Sequence, residues 1–380
     1  MKITFLSNYF NHHQLPFSDA LYSYIGENYS FVETKKMDED RKNMGWAIEK
    51  LPSYVKQEFS VDNKLCLLDD VVIFGSAPRN FIEKRLKNGK IVFFYSERWY
   101  KNGFNWLKWP VRFIRHHFMY GRYKNTYLLC ASAYAFSDCA KTLLFQKRAY
   151  KWGYFPPLKK YDNINELVSH KQKTTILWCG RLLDWKHPDD AIQVAKMLND
   201  IGLDFKMNII GTGKMMSTLK TMIHHFRLEN KVFLLGSMSP DMVRSYMENA
   251  GIFIFTSDRC EGWGAVLNEA MNSGCAVVAS HAIGSVPYLL KNGENGFIYY
   301  SGDKDSLFVK VKRLLKCPNE QDRVGCAAYE TIINEWNADV AAERFLNLSQ
   351  CLLNEKNDVD IYQSGPCSRA EIIRDNWFHE

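Results

Sequence analysis

No stretch of this sequence stays apolar for the roughly 18 positions that a spanning helix needs, which argues against an integral membrane protein. The opening residues, MKITFLSNYFNHH, turn polar after Leu6, too early for the apolar stretch of a signal peptide. The ten cysteines form no CxxC pair, and several sit inside apolar runs. Reduced core thiols in a cytosolic protein are the expectation. Internal repeats and low-complexity tracts are also missing. With 46% hydrophobic and 24% charged residues, the composition is that of a packed protein and excludes disorder, a collagen-like repeat or a coiled coil for the whole chain. At roughly 100–200 residues per domain, 380 residues suggest two domains.

Acid is scarce in one place. Between Glu97 and Asp138 there is no Asp or Glu, although the net charge of the chain is only +7. Residues 1–155 hold 24 Lys/Arg against 14 Asp/Glu, a surplus of +10, and the remaining residues come to −3. In the acid-free gap, Arg98, Lys101, Lys108, Arg112, Arg115, Arg122 and Lys124 alternate with Trp99, Trp106, Trp109, Phe113, Phe118 and Tyr120. Such a segment, 98–124, reads as a membrane-surface element, because anionic headgroups attract cations while indole rings settle at the interface. A solvated face over a buried aromatic cluster is the competing reading. A nucleic-acid partner is not expected, since no nucleic-acid-binding motif accompanies the patch.

Strand-like and helix-like segments alternate along the first 150 residues. Strands are expected at 2–7, 29–34, 71–76, 90–96 and 127–132, and helices at 17–25, 81–87 and 135–145. KWGYFPPL at 151–158 then breaks the pattern with one glycine and two prolines. The alternation resumes with apolar runs at 174–179, 205–210, 231–235, 251–256 and 275–280, and with helices at 188–198, 215–226, 241–249 and 265–273. Near-continuous apolar strands alternating with helices predict an α/β protein with two doubly wound parallel sheets. A cleft between two such domains, at the carboxyl ends of the strands, is the expected ligand site.

The densest chemistry is TSDRCEGWGAVLNEAMN at 256–272. A strand ends there, a polar loop follows, and a helix begins near Gly264. Gly262 and Gly264 let backbone N–H groups approach an anion closely. Glu261 and Glu269 stand eight residues apart, a spacing that lets both border one pocket while contacting different parts of a ligand. Taken singly, Glu269 reads as a surface helix residue and Glu261 as a charge favoured by the helix dipole. The second motif, GRLLDWK at 180–186, places Arg181 and Lys186 on a loop at the carboxyl edge of the sheet. Two cations there can hold a diphosphate and stabilise its charge as it leaves. A strand-end salt bridge and a solvated lysine are the alternative.

EGWGAVLNE resembles the EX7E pattern of retaining glycosyltransferases of the GT-B fold, and GRLLDWKHPDDAI resembles the paired Arg and Lys of glycosyltransferase family 4. IIGTG, VFLLGSMS, CAVVASHAIGSVPYLL and NGFIYY agree in order, so the resemblance covers roughly residues 150–345. It implies two facing Rossmann-like domains with a cleft between them: an acceptor-binding domain at 1–155, a nucleotide-sugar-binding domain at 156–350, and a segment at 351–380 that returns to the first domain, with a helix at 370–378. It further implies that Gly180, Arg181 and Lys186 meet the donor diphosphate, that Glu261 contacts donor-sugar hydroxyls, and that Glu269 binds the ribose. The backbone around Trp263, Gly264, Ala265 and Val266 should meet the phosphates. Gly211 and Gly213 should line the cleft, and Ser237 and Met238 the nucleobase. Trp263 stands where the family commonly has Phe. Same-face attack by an acceptor hydroxyl, without an enzyme nucleophile, is the implied mechanism. The implied partners are a nucleotide-sugar donor and a glycan or lipid-linked saccharide acceptor. The expected place is the cytoplasm, with peripheral attachment to the membrane's inner face.

In the N-terminal half the resemblance rests on topology. Where many relatives carry a glycine-rich turn after the first strand, this chain has Ser7-Asn8-Tyr9-Phe10-Asn11-His12-His13-Gln14. Asn11, His12 and His13 are candidates for the cleft, as are Ser96, Glu97 and Arg98 at another strand end. Glu97 also reads as a structural ion pair with Arg98 or Lys101, and His116 and His117 as surface- or lipid-facing. Asp38-Glu39-Asp40 spells a DxD but reads as a solvated acidic turn away from the nucleotide motifs; no metal or other cofactor is expected. An inverting transferase using His12, His13 or Glu97 as base, a nucleotide-sugar epimerase or hydrolase, and a non-catalytic scaffold stay open.

Overall fold

The computed structural model describes residues 1–38, 48, 50–57, 65–354 and 358–378. Packing divides the chain into two units, Met1–Pro157 with Trp336–Arg374, and Leu158–Glu335 with Asp375–Glu380.

The first unit is built on a parallel sheet in the order β3-β2-β1-β4-β5-β6-β7. Its strands are β1 (Ile3–Ser7), β2 (Tyr29–Glu33), β3 (Val55–Gln57), β4 (Val71–Phe74), β5 (Ile91–Ser96), β6 (Thr126–Cys130) and β7 (Ala149–Lys151). β1, β2, β4 and β6 are buried along their whole length. This is why they read as near-continuous apolar runs: a parallel strand covered on both faces has no solvent side to mark with alternating polar residues. β3 and β7 are three residues long and leave no such signature.

The second unit has a parallel sheet in the order β10-β9-β8-β11-β12-β13, formed by β8 (Gln172–Cys179), β9 (Lys206–Ile210), β10 (Val232–Gly236), β11 (Ala250–Phe255), β12 (Ala276–Ser280) and β13 (Phe297–Tyr299). Helix Pro188–Asp200 follows β8 and buries Ala191, Ile192, Val194, Ala195 and Leu198. That 3.6-residue spacing marks the face packed on the sheet. Ile176, Trp178, Met207, Ile209, Ile252 and Ile254 meet it from the strands.

Three expectations need correction. Residues 336–350 were expected in the second domain but pack in the first unit. The reason is helix Ala338–Leu353, whose Phe345 ring lies 4.9 Å from Phe93, 5.8 Å from Trp152 and 6.2 Å from Phe17. Residues 370–378 form no helix. In the first unit, Ser137 holds both the N–H and the C=O of Ile373 through its Oγ at 2.8 Å. In the second, His281 Nε2 is 3.0 Å from Asp375 O, and Trp377 Nε1 donates to His281 O at 3.3 Å. Side-chain and loop contacts replace a helical ladder. Finally, the helix expected over 135–145 ends at Ala140, because Leu143 and Phe145 take left-handed backbone angles (φ 57° and 53°) that no right-handed helix can contain.

Candidate functional site

In an open parallel sheet, neighbouring loops diverge at the carboxyl edge where the strand order reverses, and a crevice opens there. In the second unit this point lies between β8 and β11. The loops that leave these strands, 180–187 and 256–264, are the two motifs picked out in the sequence, and tertiary hydrogen bonds tie them together. Trp178 Nε1 donates to Thr256 Oγ1 at 2.9 Å, and Thr256 Oγ1 donates to Lys186 O at 2.7 Å. The Asp258 N–H donates to Trp185 O at 2.9 Å. His187, in a left-handed turn (φ 49°, ψ 51°), ends the loop and lets Pro188 open the next helix.

This framework sets Lys186 Nζ 2.5 Å from Glu261 Oε2, with both side chains only 11% exposed. Ser257 Oγ donates to the same carboxylate oxygen at 2.9 Å. The ammonium also lies 4.7 Å from the centroid of the Trp185 ring and 5.8 Å from that of Phe255. A buried charge is tolerated only when paired and hydrogen-bonded, so each partner fixes the other. Gly264 follows with φ 84°, and a Cβ there would come within 2.7 Å of the Phe255 ring. A side chain would therefore push the turn off the strand end.

Helix Val266–Asn272 begins two residues later. Trp263 lies wholly inside the unit and donates from Nε1 to Asn268 Oδ1 at 2.9 Å. Glu269 is partly buried on this helix. Burial raises its carboxyl above the ordinary range, and the Arg244 guanidinium works against that rise. Arg244, on helix Pro240–Asn249, donates to Glu269 O at 3.3 Å, Asn272 Oδ1 at 3.0 Å and Ser273 Oγ at 3.1 Å. Burial pushes the Cys179 thiol up to about 12, with Glu269 adding to the rise and Lys186 opposing it. Cys179, Lys186 and Glu269 thus share one electrostatic neighbourhood at the end of β8. Sequence reasoning passed over Cys179, Ser257 and Arg244. Only Cys179, next to Gly180 at a strand end, carried a local signal.

Gly211 and Gly213 have a packing role that the sequence did not reveal. A Cβ on Gly211 would overlap the Gly180 carbonyl, and one on Gly213 would overlap that of Leu182. The two backbones touch, with the Leu182 N–H donating to Thr212 O at 2.8 Å. The Gly211 N–H donates to Gly236 O at 2.7 Å, which draws the next loop, carrying Ser237 and Met238, toward the same edge. Arg181 is exposed beside this glycine pair and makes no ion pair among the described residues.

The first unit has its own order reversal, between β1 and β4. The loop after β1 is held by Asn11, whose Oδ1 accepts from the His13 N–H at 2.9 Å. The Phe10 N–H donates to the buried carboxylate of Glu33 at 2.6 Å. The His12 and His13 rings stand 4.0 Å apart, and His13 stacks on Tyr154 at 5.8 Å. His13 lines a small cavity with Phe5, Phe17, Tyr95 and Trp152. Burial, helped by His12, holds its imidazole neutral down to about pH 3. At the end of β5, Ser96 Oγ accepts from Trp99 Nε1 at 2.8 Å, while Glu97 accepts from Lys101 Nζ at 2.9 Å and from Tyr154 OH at 2.7 Å. Arg98 departs from expectation. Its guanidinium is buried against Asp138 (3.6 Å) and the Tyr134 ring (4.8 Å), inside the unit rather than at an open strand end. Glu97 pairs with Lys101, as one of its two readings had it. Of the DxD, Asp38 pairs with Lys35 at 2.9 Å; Glu39 and Asp40 lie outside the described residues.

Two Rossmann-like parallel sheets in series define a protein of the GT-B fold. Residues 160–331 match the family described as Glycosyl transferases group 1. It is 30% identical over 186 residues to the amylovoran biosynthesis glycosyltransferase AmsK of Erwinia amylovora, covering 48% of this chain and 46% of that one. The chain thus spans about half the length of this relative. An uncharacterized glycosyltransferase of Haemophilus influenzae is 25% identical over 84% of this chain and 90% of its own. Among solved structures, Anabaena HepE in complex with UDP superposes with a TM-score of 0.67 at 14% identity, over 92% of this chain and 100% of that one.

Proposed function

We propose that this chain moves a sugar, with retention, from a nucleotide-diphosphate sugar to a hydroxyl of a glycan or lipid-linked saccharide, in the making of cell-surface polysaccharide or glycolipid. The observation that carries the reading is the Lys186–Glu261 pair, set beside the Gly264 turn and Glu269 at the order reversal of the second sheet. An ammonium has three N–H donors. One serves Glu261, which leaves donors for a phosphate oxygen. The pair is neutral as a whole, so the diphosphate charge falls to Arg181 and to the backbone amides of Gly264, Ala265 and Val266. Glu261 then receives a donor-sugar hydroxyl and Glu269 the ribose hydroxyls, while Ser237 and Met238 flank the base. Gly211 and Gly213 keep the floor of the site free of side chains. In this reading the cations and amides take the part of a metal.

In the transfer, the acceptor oxygen bonds to the anomeric carbon as the carbon–oxygen bond to the diphosphate breaks on the same face. The hydroxyl proton passes to the departing phosphate oxygen. Asn11, His12, His13, Ser96 and Glu97 are the acceptor-side candidates. An inverting reaction with His13 as base is disfavoured, because an imidazole that protonates only near pH 3 is too weak to take a proton at neutrality. The polysaccharide setting draws support from the relative named for amylovoran biosynthesis, and the nucleotide from HepE, solved with UDP.

A panel of nucleoside diphosphates and nucleotide sugars, read by thermal shift, tests the donor, since a ligand that binds only the folded state raises its melting temperature. NMR of the product's anomeric proton tests retention. Donor consumption without an acceptor would point to the hydrolase or epimerase instead.

A further inference from the structure

Five of the fifteen large hydrophobic side chains left exposed among the described residues fall within thirteen consecutive positions of the first unit. They are Trp106 (65% exposed), Leu107 (93%), Val111 (70%), Ile114 (57%) and Phe118 (60%). The last four are spaced by four, three and four residues, the spacing that lines up one face of a helix. The segment is helical throughout, running from a 3-10 turn at Trp106–Lys108 through α-helix Trp109–His116 into a π-turn at His117–Gly121.

Its other face is firmly anchored. Trp109 Nε1 donates to Lys141 O at 2.7 Å, Arg112 lies over the rings of Tyr100 (4.8 Å) and Phe104 (5.0 Å), and Tyr120 packs on Phe94 at 5.0 Å. Trp109, Arg112 and Tyr120 therefore hold the helix down while Leu107, Val111, Ile114 and Phe118 are left exposed. Along this ridge Lys108, Arg115, Arg122 and Lys124 are exposed, and none pairs with a carboxylate among the described residues. An apolar ridge of this kind, rimmed by unneutralised cations, is not the pattern of an ordinary solvated face.

We infer that the ridge inserts into the headgroup region of an anionic bilayer, with Leu107, Val111, Ile114 and Phe118 entering the acyl boundary and the four cations meeting lipid phosphates. Charge complementarity selects this occupant. A two-fold contact with a second copy would bring the same cations against themselves. A nucleic acid would satisfy the cations but offer nothing to Leu, Val and Ile, which have no ring on which a base can stack. The inference does not depend on the donor reading, because bilayer binding is measured without substrate.

Co-sedimentation with phosphatidylcholine vesicles, with and without phosphatidylglycerol, tests it. Binding to the anionic vesicles, weakened by salt, is expected, with little to the neutral ones. V111D/I114D should weaken that binding at least tenfold without lowering the melting temperature, since both positions are exposed. K108S/R115S/R122S should abolish the preference for phosphatidylglycerol. Failure to bind either vesicle, binding unchanged in V111D/I114D, or a dimer that this variant dissolves would overturn the inference.

Discussion

The two units share a strand order but place opposite chemistry at the point where it reverses. In the second, a buried ion pair, two glycine-enforced backbone contacts and a raised carboxyl converge between β8 and β11. In the first, the loop after β1 packs a neutral imidazole among aromatic rings. Anion chemistry needs fixed charges and close backbone approach, both of which constrain residue types tightly. A loop packed against rings needs only shape and scattered hydrogen bonds, which leaves its residue types freer. The charge surplus follows a different logic: seven cations and no acid fall in residues 98–124 of the first unit, the stretch that contains its exposed helix.

The sharpest way to break this contrast is Lys186→Ala. If the second unit holds the diphosphate, turnover should fall about 10²–10³-fold, the range for losing one preorganised donor, with the fold intact by circular dichroism. Unchanged turnover would remove the donor assignment. Next in size is Phe345→Ala. It should cost about 3–5 kcal/mol, the usual range for emptying a buried aromatic site, and lower the denaturant midpoint of the first unit. An unchanged midpoint would mean that the helix does not belong to that core.

Glu269→Gln separates binding from stability. The unfolded chain loses this proton near its ordinary value of 4.5, whereas the folded protein holds it to higher pH. The folded state thus binds more protons in between, and stability falls as pH rises through that window. The variant should remove the fall, so that it melts no lower than the parent at pH 8, while donor affinity drops about tenfold. The smallest effect concerns His13. Its folded state refuses a proton down to about pH 3, whereas the unfolded chain takes one near 6.5. Its stability contribution is complete above 6.5 and is lost as pH falls through that interval. His13→Gln should flatten the acid side of a melting-temperature profile; an unaltered profile would show that the ring is solvated.

Strands with both faces covered were legible because burial leaves a near-continuous apolar run, and so β1, β4, β11 and the buried half of β8 could be read directly. β3, β7 and β13, at three residues each, were not. Gly211 and Gly264 stood out in the sequence, but not for their packing: only the fold brings the Gly180 carbonyl and the Phe255 ring against them. Arg98 was misread because a cation at a strand end looks the same whether it faces solvent or a buried Asp138 forty residues on.

The sequence by itself determined the two parallel sheets and the order of the glycine, cation and carboxylate motifs, since both are written in contiguous residues whose spacing is set by local geometry. Tertiary structure decided the pairing of Lys186 with Glu261, 75 residues apart, the burial of Arg98, the return of Phe345 to the first core, and the outward turn of Leu107, Val111, Ile114 and Phe118. Each of these depends on which surfaces meet after the chain has closed long loops, and a helical period alone does not say which of two apolar faces the core will take.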